Sequence, residues 1–158
     1  MENVPQENLD RLKASASAWF GSADPSLGTG AMIETAFLMA AADGTLSDIE
    51  REQLVATIEY ITDKSIPRER LDETIEQLLE SLSVDGWEAR INAVASSLSD
   101  GLARRNAYRL AAGVSFIDGE VQVEEAQLFT LLARAFEIPE SEAEAILVEV
   151  RDELFPKL

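Results

Sequence analysis

The sequence predicts an all-α protein, a single-domain bundle of seven to eight helices with an internal two-fold sequence duplication. Three observations predict it. Ala, Leu and Glu are abundant and aromatic residues make up only 6% of the 158 residues, a balance of strong helix formers rather than of the aromatic and β-branched residues that strands favour. Apolar residues recur at three- and four-residue spacing in one segment after another, the period of an amphipathic helix. A short signature, Asp-Gly-x-Leu/Val-x-x-x-Glu, occurs twice, from Asp43 to Glu50 and from Asp118 to Glu125, about half a chain length apart. With 46% hydrophobic residues, the chain is long and apolar enough to bury a core and is not of the disordered class.

Each element has its own signal. Pro5 opens a first helix, because proline suits the start of a helix, and Leu9, Leu12, Ala16 and Trp19 share one face. Gly21 to Gly30 is rich in Gly, Ser and Pro and reads as a loop. The second helix, Gly30 to Ala42, is apolar nearly all round (Met32, Ile33, Ala36, Phe37, Leu38, Met39, Ala40), so it belongs at the centre of the bundle. Asp43-Gly44 ends it, since glycine takes the left-handed conformation of a helix stop. Ser47 starts a third helix carrying Leu54, Ile58 and Ile61. Pro67 fits the first turn of a fourth, with Leu71, Ile75, Leu78, Leu79 and Leu82 as its stripe. Trp87 to Leu98 makes a fifth, ended by Asp100-Gly101. From Leu102 runs a second apolar element (Ala107, Leu110, Ala111, Val114, Phe116, Ile117), ended by Asp118-Gly119. Gln122 to Phe136 carries Leu128, Leu131 and Leu132. Pro139 or Ser141 opens the last helix, with Ala145, Ile146, Val150 and Leu154 inward.

Composition excludes several functions. The net charge of −17, from 30 acidic and 13 basic residues, opposes both a nucleic-acid backbone and an anionic membrane surface. Metal cations and basic protein surfaces are its natural complement. The chain has no cysteine and no histidine, which removes thiolate and imidazole metal sites, Cys nucleophiles and His-based triads. No apolar run reaches the length of a membrane span, and the acidic, polar stretch Met1 to Asp10 is no signal peptide. These features predict a cytoplasmic protein with no direct membrane insertion. Arg104, Arg105 and Arg109 are the one basic cluster, read as local ion pairs in an acidic chain. Trp19 and Trp87 read as packing anchors.

The repeated signature has two readings. Ser47-Asp48-Ile49-Glu50 is a capping box, in which the Ser hydroxyl and the Glu carboxylate each take a backbone amide, and Asp before Gly is an ordinary turn pair. In the second copy Glu125 matches Glu50 but Gln122 stands where Ser47 stood, so capping explains Glu50 well and Glu125 poorly. A shared need for the acids explains both. Asp43, Glu50, Asp118 and Glu125 are then candidate ligands for a divalent cation, Ca²⁺ or Mg²⁺, with Thr45, Glu120 or backbone carbonyls completing the shell that calcium prefers. Four carboxylates in one site repel unless a cation or protons compensate. The spacing is not that of an EF-hand.

At these residues the chain resembles the TerB-like family, named for a bacterial tellurite-resistance protein and related to a domain of some DnaJ-like membrane co-chaperones. The resemblance rests on Ala40-Ala41-Ala42-Asp43-Gly44-Thr45-Leu46-Ser47 with Glu50-Arg51-Glu52, on Ile117-Asp118-Gly119-Glu120-Val121 with Glu124-Glu125, and on Leu131 to Pro139. It divides the chain into an N-terminal helix and loop, 1–29, and a TerB-like helical domain, 30–158. It implies cation-binding acids on the Asp-Gly turns, at Asp43, Glu50, Asp118 and Glu125. It also implies a role in tellurite resistance and stress response through a protein partner, an integral membrane protein of the tellurite-resistance system among them, with the chain peripheral to the membrane through that partner. The alternative is an acidic interaction scaffold with no metal, its Asp-Gly turns serving as helix caps. A carboxylate-metal hydrolase is a third reading, disfavoured because no His, Cys or evident Lys base accompanies the acids.

Overall fold

The structure, a computed structural model, describes residues 5–21, 28–98, 100–117, 121 and 123–156. Among them are eight helices and no strand: α1 (Gln6–Gly21), α2 (Gly28–Ala40), α3 (Asp48–Ile61), α4 (Arg68–Asp85), α5 (Trp87–Ser97), α6 (Gly101–Phe116), α7 (Val123–Ala135) and α8 (Glu140–Leu154). The all-helical fold is the one the sequence predicts. No helix among the described residues is long and apolar enough to cross a membrane.

The two helices with the most buried residues, α2 and α6, pack against each other at the centre. Residues 31–39 of α2 and 110–115 of α6 are buried without interruption, which is how a helix apolar all round is accommodated. The remaining helices surround this pair in a regular way. α1 packs on α3, α6 and α8, and α5 packs correspondingly on α7, α2 and α4. The helix of the 1–29 segment thus shares the core of the rest: Leu12 and Ala16 are fully buried and Trp19 nearly so. α1 lies so close to α6 that a Cβ at Gly113 would meet the Leu12 side chain. The start of α1 also serves two helix ends. Asn8, itself buried, donates to the Ile117 carbonyl at 3.0 Å, and Arg11 donates to the Leu154 carbonyl at 3.1 Å, satisfying C-terminal acceptors of α6 and α8 that have no partner within their own helices.

Three prolines open helices by one device. The carbonyls of Pro5, Pro67 and Pro139 accept the first amides of α1, α4 and α8, and Pro67 and Pro139 sit at the cap position itself, with φ near −58°. Pro67 therefore precedes the first turn of α4 and does not lie within it. Other expectations shift more. α2 begins at Gly28 and ends at Ala40, and the part of the expected loop at 22–27 lies outside the described residues. Asp100-Gly101 does not end α5. Asp100 is the N-cap of α6, accepting from the Leu102 amide at 3.2 Å, while the end of α5 is covered by Arg104, which donates to the Leu98 and Ala95 carbonyls. Ala145 and Leu131 are exposed where an inward position was expected. Their places in the core are taken by Ala143 and Phe129. The expected stop at Asp118-Gly119 lies outside the described residues.

Candidate functional site

The first Asp-Gly turn is built from α2 towards α3. After Ala40 the chain closes in tight turns, with the Ala41 amide donating to Phe37 and the Gly44 amide to Ala41, both at 2.9 Å. Gly44 takes φ +92°, a left-handed conformation that glycine adopts without a Cβ penalty. Asp43 is exposed, and its Oδ1 accepts from the Thr45 amide at 3.0 Å and the Thr45 hydroxyl at 3.2 Å, a side-chain turn that fixes the carboxylate. Three residues on, Ser47 and Glu50 form the reciprocal capping box: the Ser47 amide donates to Glu50 Oε1 at 2.9 Å and the Glu50 amide to Ser47 Oγ at 3.1 Å. Asp43 Oδ2 and Glu50 Oε2 accept no hydrogen bond among the described residues.

In the second half, Asp118 lies outside the described residues, so only Glu125 is placed. It stands half-buried in the first turn of α7. The buried Ser115 hydroxyl, in the last turn of α6, donates to Glu125 Oε2 at 2.7 Å. Among the described residues no three acidic side chains form a group able to hold a metal ion, so Asp43, Glu50 and Glu125 are not gathered into one cluster.

Two features carry no signal in the sequence. The first is an acid inside the most apolar helix. Glu34, 7% exposed, accepts from Arg90 Nε and Nη2 of α5, each at 2.8 Å. Asp85 takes a third Arg90 nitrogen at 3.2 Å. This bidentate geometry with Glu34 holds the guanidinium charged well above its ordinary range. On the opposite side α6 presents three arginines to acids beyond it, as the basic cluster led one to expect: Arg104 to Glu137, Arg105 to both oxygens of Glu142, and Arg109 to Glu149 at 3.2 Å. The Arg105 contact draws the Glu142 carboxyl below its usual range.

The second feature is a cleft. α3 packs directly on α4, tied by Arg51 to Glu76 and by Arg68 to Glu52. α7 and α8 do not pack closely in the same way, and between them opens a cleft of about 470 Å³. Its floor is aromatic: Tyr108 meets Phe129 edge-on, with ring centroids 5.7 Å apart, and Phe116 meets Phe129 at 5.9 Å. Tyr108 is 1% exposed, its hydroxyl makes no hydrogen bond among the described residues, and burial pushes the phenol up to about 12. Glu140, Glu144 and Arg134 stand on the rim.

Compared with protein-family models, with curated proteins and with solved structures, the chain has no significant match.

Proposed function

We propose that this chain is a non-enzymatic, divalent-cation-binding protein of the TerB-like type, which acts in tellurite resistance or stress response through a protein partner. The observation that carries the reading is the Asp43–Glu50 turn. Each carboxylate spends one oxygen on fixing the turn, to Thr45 in one case and to Ser47 in the other, and keeps a second oxygen free of protein donors among the described residues. Hard, pre-oriented oxygens on a turn of fixed shape suit Ca²⁺ or Mg²⁺, with water and carbonyls completing the shell. In this reading Asp118 and Glu125 are the cation-binding acids of the second turn. The bound cation and the partner are linked: whichever state the cation favours, the partner binds more tightly. The chain would act in the cytoplasm, reaching a membrane only through that partner, since its net charge of −17 is repelled by anionic lipid.

A second reading is favoured by the same hydrogen bonds. They also serve as helix punctuation at the start of α3, the role that an interaction scaffold without metal gives them. An amide NMR titration of EDTA-stripped protein with Ca²⁺ and then Mg²⁺ separates the two. Cation binding gives saturable shifts at Gly44 and Gly119 that disappear in the Asp43→Asn/Asp118→Asn double variant. Shifts spread evenly over the acidic surface and unaltered by the double variant overturn the cation reading. The substitutions then change only stability, by about 1 kcal/mol or less per site.

A further inference from the structure

We propose that the cleft between α7 and α8 docks a basic amphipathic helix of a partner protein. This rests on the reading that the chain works through a protein partner, and gives that partner a place and a chemistry. The cleft has the features by which helices are received in grooves, an apolar trough between two helices with charged groups on its edges. Tyr108, Phe116 and Phe129 make the floor, and the small side chains of Ala126 and Ala143 on the walls leave room for large ones from outside. The volume of about 470 Å³ lies within the range of sites that enclose large apolar groups.

Charge selects the occupant. Glu140 and Glu144 lie one turn apart on the α8 rim, and neither forms an ion pair among the described residues. Most arginines of the chain, by contrast, are already paired with an acid. Two acids at this spacing match Lys or Arg residues one turn apart on a facing helix. Arg134 on the α7 side, also without an ion pair among the described residues, would take an acid of the same helix. A second copy of this chain, at a net charge of −17, is repelled by long-range electrostatics, and so is an anionic amphiphile. The corresponding seam between α3 and α4 is closed by arginine pairs; between α7 and α8 the described residues form none, so the positive charges are left for the partner to supply.

The test titrates ¹⁵N-labelled full-length protein with a synthetic amphipathic Leu/Lys helical peptide, and with a peptide of the same composition scrambled to destroy its apolar stripe. Ala126→Trp fills the cleft from an exposed wall position, and Glu140→Lys/Glu144→Lys reverses the rim. The expected result is saturable shifts at Ala126 to Thr130 and Ala143 to Leu147. The scrambled peptide and both variants should bind at least about tenfold more weakly, with melting temperatures unchanged. Equal binding of the two peptides, or full binding to Ala126→Trp, would mean attraction to the acidic surface at large and overturn the proposal. Dodecanoate moving these resonances while the helical peptide does not, or self-association in sedimentation through the same residues, would overturn it in favour of a lipid-like ligand or a second copy. Repeating the titration in EDTA and in Ca²⁺ separates the two readings. Cleft binding with no cation response at Gly44 leaves the docking site standing alone. A cation response without cleft binding leaves the cation reading standing and removes the site.

Discussion

Removing Arg90 should be the most damaging single change on the α2–α5 seam, and the reason is asymmetric. Glu34 lies 7% exposed on a helix whose neighbours from 31 to 39 are all buried, and both of its oxygens are taken by Arg90 at 2.8 Å. In Arg90→Met a carboxylate is left in an apolar setting with no cation, a loss of about 3–5 kcal/mol. For a domain of this length that lowers the melting temperature by roughly 6–20 °C. Glu34→Met leaves Arg90 with Asp85 at 3.2 Å and with access to water, so it should cost only about 1–3 kcal/mol, the worth of hydrogen bonds to a charged group. The double substitution Glu34→Met/Arg90→Met buries two apolar side chains of similar length and leaves no orphaned charge. Such replacements are often neutral, and this one should fall within about 1.5 kcal/mol of the parent. Urea denaturation followed by far-UV circular dichroism on all four proteins gives the coupling energy directly. If Glu34→Met is as costly as Arg90→Met, or the double variant is no better than Arg90→Met, the pair is not what the geometry says it is.

Three smaller effects arise from other contacts. Ser47→Ala removes one arm of the capping box and should cost about 1 kcal/mol in the same denaturation assay; no loss would mean that the α3 start is held by packing alone. The Arg105 contact lowers the Glu142 carboxyl in the folded state, so its contribution is present above the unfolded pKa and is lost as pH falls through the folded value. Glu142→Gln should therefore flatten the acid limb of the stability–pH curve while lowering stability at neutral pH. Tyr108 behaves in the opposite sense: with the phenol pushed up to about 12, its share of stability is complete below the unfolded value near 10 and declines above it, at up to about 1.4 kcal/mol per pH unit. Tyr108→Phe should remove that alkaline decline and, because the hydroxyl has no acceptor among the described residues, cost little at neutral pH, as thermal melts across the alkaline range would show.

The helices were legible because their signal is periodic and redundant. Leu54, Ile58 and Ile61 fix the buried face of α3 whatever any one neighbour does, and all three are buried. Ser47 was legible because a capping box is written in two residues at a set spacing. The misplaced features were carried by single residues with weak or double meaning. Asp-Gly suits a helix stop and a helix start equally, and at Asp100 the side chain caps α6 instead of closing α5. Alanine contributes so little to an apolar stripe that Ala143 and Ala145 cannot be told apart without the helix's orientation. Glu34 is one acid in an apolar run, and its partner Arg90 stands 56 positions away, a pairing that no local pattern records.

The cleft illustrates a deeper limit. Phe129 and Tyr108 are buried, yet neither stands among the core positions that periodicity picks out, which fall on Leu131 and Ala107 near them. What makes them a floor is the spacing of two helices above them, and that spacing depends on which residues fail to meet. Along α3 and α4, Arg51 and Arg68 reach acids across the seam. The arginines of the second half that reach α8 start from α6, and Arg105 and Arg109 hold Glu142 and Glu149 on the side of α8 nearest that central helix. α8 is thus tethered to α6 while no arginine ties it to α7 among the described residues. Two scattered arginines close the α3–α4 pair, whereas the arginine cluster of α6 draws α8 towards the core and leaves α7 apart from it. The repeated Asp-Gly signature is what the two stretches of sequence share; the placement of a few arginines is what makes the α3–α4 seam closed and the α7–α8 seam open among the described residues.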